Sequence, residues 1–249
     1  MTGTNLPVAP VRARLYKLLS LLLQYPAAEV LEVRAELAAA ARALPDSPVR
    51  RALEPFLAYW ASEPASTLPQ HYVATFDLQK RSTLYLSYYL YGDRRQRGMA
   101  FVRLRQVYAA AGLEAATQEL PDYLPLVLEF AAAAPSEVGT AVLTEYRPSL
   151  ELLHRALADA GSPYAAVIQA LRLTLPPLDR RTRALVARLA AEEPPTELVG
   201  LEPFAPPAML SPGGRTAPPA CGPAALRQSR GGAGAPGPHG RTVSTEPDA

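Results

Sequence analysis

Residues 71–130 read HYVATFDLQKRSTLYLSYYLYGDRRQRGMAFVRLRQVYAAAGLEAATQELPDYLPLVLEF. Phe101, Leu104, Tyr108 and Ala111 stand three and four residues apart, which lines one face of a helix with apolar side chains. Gly112 follows them and suits the left-handed residue that closes a helix. Gly92-Asp93 is a turn pair, with Asp93 placed to cap the helix after it. Asp122 is placed to cap a further helix, which carries Pro125 in its first turn and runs on through Leu126 to Phe130.

The same pattern extends outward on both sides. Leu15, Leu18, Leu19 and Leu22 stand at i, i+3, i+4 and i+7. Val30, Val33, Leu37 and Leu44 form a second stripe. Breaks fall at Pro26 and Pro45, Ser47-Pro48 reads as an N-cap with a first-turn proline, and Gly161 precedes a restart at Ser162-Pro163. No stretch alternates polar and apolar residues as a half-buried strand does. The fold class expected is all-α, a single helical bundle-like domain of about eight to ten helices over residues 11–195. Residues 1–10 are expected to be a flexible N-terminus. Residues 201–249 hold ten Pro and eight Gly, so 196–249 is expected to be a disordered Pro/Gly-rich tail with Cys221 inside it.

Composition narrows the function classes. The chain has 249 residues, 49% of them hydrophobic, and a formal net charge of +2. A dedicated nucleic-acid binder carries a larger basic excess. One Cys excludes a disulfide framework and a multi-thiolate metal site. His71, His154 and His239 have no ligand-like spacing. Arg12, Arg14 and Lys17 before a leucine run imitate an export signal, but Ser20 breaks the run and Gln24 ends it. No segment has the roughly 18 uninterrupted apolar residues of a membrane span. A cytoplasmic location is expected, with no direct membrane insertion.

Seven of the twelve Tyr lie in 71–130, five of them within 85–108. The plainer reading is an aromatic core between helices. The alternative is a partly open groove, because every buried hydroxyl needs a partner and water or a bound peptide would supply one. Arg94, Arg95 and Arg97 sit near the positive end of a helix dipole, a local cost. They are expected to meet an external partner, to form an internal ion pair, or to make a solvated basic face with Arg103 and Arg105.

Several words in this region occur together in one order. They are Tyr72-Val73-x-Thr75-Phe76-Asp77, Arg81-Ser82-x-Leu84-Tyr85-Leu86-x-Tyr88-Tyr89, Gly92-Asp93-x-Arg95-x-Arg97-Gly98-x-Ala100, Tyr108-x-Ala110-x-Gly112, and Glu119-Leu120-Pro121-Asp122-x-Leu124-Pro125 with Leu128-Glu129-Phe130 behind it. With Tyr16-Lys17-Leu18-Leu19-Ser20 and Leu23-x-Tyr25-Pro26, they make residues 12–190 resemble the respiratory nitrate reductase delta subunit family. These are NarJ-type molybdenum cofactor assembly chaperones, related to the TorD/DmsD redox-enzyme maturation chaperones. The resemblance implies an all-helical cytoplasmic chaperone. It implies binding of the apo catalytic (alpha) subunit, including its N-terminal peptide. It further implies support for molybdenum cofactor insertion and for assembly of the alpha–beta complex before membrane attachment. Molybdenum cofactor delivery proteins are candidate further partners. No cofactor is expected to be bound stably. Tyr123 departs from the pattern, since the family often has His there. A proton-linked role for that position is not expected, because Tyr does not change charge near neutral pH.

The client-peptide site is expected at Tyr72, Phe76, Asp77, Arg81, Leu84, Tyr85, Tyr88, Tyr89, Asp93, Arg95, Arg97, Glu119, Pro121, Asp122 and Tyr123. An amphipathic client helix would lay its apolar side on the aromatic residues, with the charged residues setting its register. There is no phosphate loop with a Lys, no His-rich metal word and no Gly-x-Ser-x-Gly elbow, so no catalytic or metal residue is assigned and no enzyme is expected. A permanent structural subunit of a reductase complex and a helical transcription regulator remain as alternatives.

Overall fold

The computed structural model describes residues 9–115, 119–192 and 226–228. Among these are twelve α-helices in an all-α arrangement with one two-stranded ribbon. Helix α1 (Ala9–Leu22) buries Leu15, Leu18, Leu19 and Leu22, the stripe that marked it. It takes in Ala9 and Pro10, which the sequence assigned to the N-terminal arm. Pro10 is tolerated there because first-turn N–H groups have no intrahelical partner.

The stripe from Val30 to Leu44 predicts one helix, and the structure makes two, α2 (Ala28–Glu32) and α3 (Arg34–Arg42). The break turns Val33 outward and lets Leu37, Ala38 and Ala41 reach the core. Helix α4 (Pro48–Ser62) begins as predicted, with Ser47 Oγ accepting the Arg50 N–H at 3.2 Å. Helix α5 (Leu68–Tyr72) widens into a π-helical turn at Val73–Asp77, and a 3₁₀ turn follows at Lys80–Ser82. Short interruptions of this kind explain why more helices form than the eight to ten expected.

Gly92, at φ 55°, links α6 (Leu86–Tyr91) to α7 (Arg95–Ala110). Gly112 and Gly161 take the positive φ values expected of helix stops, 73° and 64°. Beyond Gly112 lies β1 (Leu113–Ala115), which pairs antiparallel with β2 (Leu226–Gln228). No strand was expected at either place. Three residues are too few to show alternation, and the pairing spans more than a hundred positions. The rest of the predicted tail, Cys221 included, and residues 1–8 of the N-terminal arm lie outside the described residues.

The core is centred on α8 (Leu124–Ala133). Every residue from Leu124 to Ala131 is buried, as expected of a helix that is apolar nearly all round. Its one charged member, Glu129, pairs with Lys17 of α1. Helix α1 packs along it, and α9 (Ser136–Glu145) packs so closely that a Cβ on Gly139 would lie 2.7 Å from Ala131 Cα. Helices α10 (Arg147–Asp159) and α11 (Tyr164–Arg172) pack together, with α11 also against α4. The last helix, α12 (Arg180–Ala191), packs against α10.

Candidate functional site

Two of the sequence words meet through the backbone. Leu86 N–H donates to Asp122 O at 3.0 Å, and Leu124 N–H donates to Leu84 O at 2.9 Å. Residues 84–86 and 122–124 thus run antiparallel, side by side. The contact sets the two motifs against each other at the N-termini of α6 and α8.

Asp122 is central to this junction and fully buried. Its Oδ2 accepts from Ser87 N–H at 3.0 Å and from Ser87 Oγ at 2.6 Å. Asp122 therefore caps α6 from across the chain, and the residue before α8 is Tyr123. The sequence predicted a cap for the helix that follows Asp122. Local spacing does not reveal that a neighbouring helix offers its free N–H groups instead. Burial raises the Asp122 pKa, opposed by the Ser87 hydrogen bonds and by Arg97, whose Nη2 lies 3.9 Å away.

Arg97 resolves the question of the basic run. Its Nη1 lies 3.4 Å from Asp93 Oδ1, and its Nε lies 3.3 Å from Ser87 Oγ. Its guanidinium stands 5.3 Å from the Phe101 ring centroid and 5.8 Å from those of Tyr85 and Tyr88. The internal ion pair is therefore the correct alternative for Arg97. Asp93 pairs back to Arg97 and does not cap α7, whose N-cap residue is Arg94. Arg94 and Arg95 remain exposed.

The tyrosine hydroxyls mostly find partners inside the chain. Tyr72 donates to Leu23 O and Tyr108 to Pro121 O, at 3.0 and 2.6 Å. Tyr89 reaches Thr83 O at 2.9 Å, Tyr85 reaches Glu119 Oε1 at 2.9 Å, and the Tyr72 and Tyr123 hydroxyls are 3.0 Å apart. Burial pushes the hydroxyl pKa values of Tyr72, Tyr89 and Tyr108 up, so these groups stay protonated. The abundance of hydroxyls therefore needs no bound peptide to account for it, which removes that reason for a groove.

Burial sorts the fifteen predicted residues. Tyr72, Phe76, Leu84, Pro121 and Asp122 are buried, so their side chains do not present the peptide-contacting surface expected of them. Tyr85, Glu119, Tyr123 and Arg97 form a half-buried cluster at the junction. Asp77 and Arg95 are exposed. Arg81, Tyr88, Tyr89 and Asp93 line a cleft of about 260 Å³ between α6, the Lys80–Arg81 turn, α10 and α12. The cleft also takes in Leu152, Arg155, Ala156 and Asp159 of α10, and Leu189 of α12. Sequence reasoning missed these five. The only signal was the spacing of Leu152, Ala156 and Asp159 at i, i+4 and i+7, which marks a helix face without saying what the face meets. The cleft offers aromatic and aliphatic walls with charges of both signs at its rim.

The fold and site define an all-helical protein with a tyrosine-walled cleft beside a buried, capped helix junction. The chain belongs to the nitrate reductase delta subunit family, whose model matches residues 42–169. It is 34% identical over 160 residues to a probable nitrate reductase molybdenum cofactor assembly chaperone NarJ of Bacillus subtilis. That match covers 64% of this chain and 87% of the relative. It is 32% identical over 157 residues to the nitrate reductase molybdenum cofactor assembly chaperone NarJ of Escherichia coli, covering 62% of this chain and 66% of that one. It is 42% identical over 105 residues to the nitrate reductase-like protein NarX of Mycobacterium tuberculosis, covering 42% of this chain and 16% of NarX. Among the described residues no helix is long and apolar enough to cross a membrane.

Proposed function

We propose that this chain is a maturation chaperone for a respiratory nitrate reductase. It binds the apo catalytic subunit, including its N-terminal peptide, on the cytoplasmic side. It supports molybdenum cofactor insertion and alpha–beta assembly before membrane attachment. The observation that carries this reading is membership of the delta subunit family, with relatives named as assembly chaperones over more than three-fifths of the chain.

The client segment is an amphipathic helix laid into the cleft beside α6. Its apolar side meets Tyr88, Leu152 and Ala156, and its charged side meets Arg81 and Asp93. Helix-in-groove binding of this kind is reversible, which lets a loaded client leave. Exposed charge pairs contribute about 0–1 kcal/mol each, so they set register while apolar burial holds the helix. Asp77 and Arg95 remain expected contacts at the edge of the surface. The chain itself carries out no covalent step in this role and holds no cofactor stably.

The test is deletion of the gene, followed by metal analysis of the catalytic subunit. The expected result is intact polypeptide lacking molybdenum, restored when the gene is returned. Normal molybdenum content without the chain would overturn the reading. Retention of the chain in the finished membrane-bound enzyme would make it a permanent subunit instead.

A further inference from the structure

Helix α12 is the one helix of the twelve that buries no residue. It follows Leu175 through Pro176, Pro177 and Leu178, and both prolines are exposed. Asp179 caps it, with Oδ1 accepting the Thr182 N–H at 2.6 Å. It carries four arginines and no acidic residue between Arg180 and Ala191. Its half-buried residues are Thr182, Leu185, Val186 and Leu189, at i, i+3, i+4 and i+7. This one-sided apolar stripe faces α10, and Leu189 forms part of the cleft wall.

The surface opposite is apolar yet only partly covered. Tyr88, Leu90, Tyr91, Leu152 and Ala156 all line the cleft and are all half-buried. Charges of both signs stand at its rim, with Lys80, Arg81, Arg94 and Arg155 beside Asp93 and Asp159. The two aspartates pair with Arg97 and Arg155, so the apolar stripe and not charge matches α12 to this surface.

We infer that α12 is a resident occupant of a helix-docking groove built by α6, the Lys80–Arg81 turn and α10, and that the partner fitting this groove is an amphipathic helix with a one-sided apolar stripe at i, i+3, i+4 and i+7 like that of α12. Seating of α12 and docking of such a helix then exclude each other. This rests on the client-binding reading above and adds its intramolecular competitor. The apparent affinity for the client falls in proportion to the fraction of molecules with α12 away from the groove. The Pro176-Pro177 connection lets the helix swing without unfolding the core, because none of its own residues is part of that core.

The test compares the full chain with its L185E/L189E double variant, using two synthetic peptides. One reproduces residues 179–192 of this chain, and the other is the N-terminal segment of the catalytic subunit. The variant is expected to melt as the wild type does, to exchange α12 amide hydrogens faster, and to bind the client peptide about tenfold more tightly. The 179–192 peptide is expected to bind the variant and not the wild type. Equal or weaker client binding by the variant overturns the inference while leaving client binding itself in place. If neither chain binds the client peptide, the reading under Proposed function fails. The 179–192 peptide then decides the inference: binding to the variant alone supports it, and binding to neither overturns it. Leu189→Gln repeats the comparison with a milder change, should the double variant fold poorly.

Discussion

At the scale of single residues, Asp122 links the most distant pieces of sequence. It satisfies the N-terminus of α6, approaches Arg97 of α7, and lies within the turn that leads into α8. Removing its acceptor leaves two buried Ser87 donors unpaired. Asp122→Ala is therefore expected to cost about 2 kcal/mol, and Asp122→Asn less than about 1, because the amide oxygen still accepts. The pH dependence follows from burial, which raises the folded-state pKa. Between the unfolded and folded values, the folded chain keeps a proton that the unfolded chain has released. The Asp122 contribution to stability is thus full below the unfolded value and is lost as pH rises through the folded one. Asp122→Asn should flatten that decline, as read from urea melts at a series of pH values. An unchanged slope would show that other groups set it. Tyr123 has a different character. Its hydroxyl meets that of Tyr72, which ties the junction to the π-helical turn after α5.

At the scale of elements, periodicity carried the reading well where a helix buries one clear stripe. The leucines of α1 and the cap at Ser47 are of this kind, because local spacing and local chemistry determine both. It failed where a partner distant in sequence decides. Asp122 caps the wrong helix from a local point of view, and β1 exists only through its pairing with β2. The cleft was half legible. Tyr88, Tyr89, Arg81 and Asp93 stand out by residue type, whereas Leu152, Ala156 and Leu189 look like any apolar residue of an amphipathic helix. Gly139 was equally silent, since it lies mid-helix with no turn signal around it. Its role appears only in the packing of α9 on α8. A methyl group there would meet the Ala131 backbone at 2.7 to 2.8 Å, and backbone cannot rotate aside. Gly139→Ala is expected to destabilise the chain by about 1–3 kcal/mol despite its better helix propensity. A melting temperature equal to or above that of the wild type would mean the two helices separate at little cost.

At the scale of the whole molecule, the question is which force would hold the proposed client. The formal net charge is only +2, and the cleft alternates Arg81, Arg94 and Arg155 with Asp93 and Asp159. Such a surface has no strong field of one sign, so long-range steering contributes little. The cleft walls that the proposed client helix would meet are aromatic and aliphatic, and such burial is insensitive to ionic strength. Client-peptide affinity is therefore expected to change by less than about tenfold between roughly 0.05 and 0.5 M salt, whereas binding through many phosphate contacts falls steeply over such a range. Tyr88→Ala removes a large part of the apolar wall and should raise the dissociation rate about tenfold with little effect on association. Stopped-flow measurements at two salt concentrations separate the effects. A steep loss of affinity with salt, together with unchanged dissociation from the Tyr88 variant, would move the binding energy to the charged rim. The cleft would then no longer be the seat of the helix, and the basic residues of α7 would have to be reconsidered as a surface for an anionic partner.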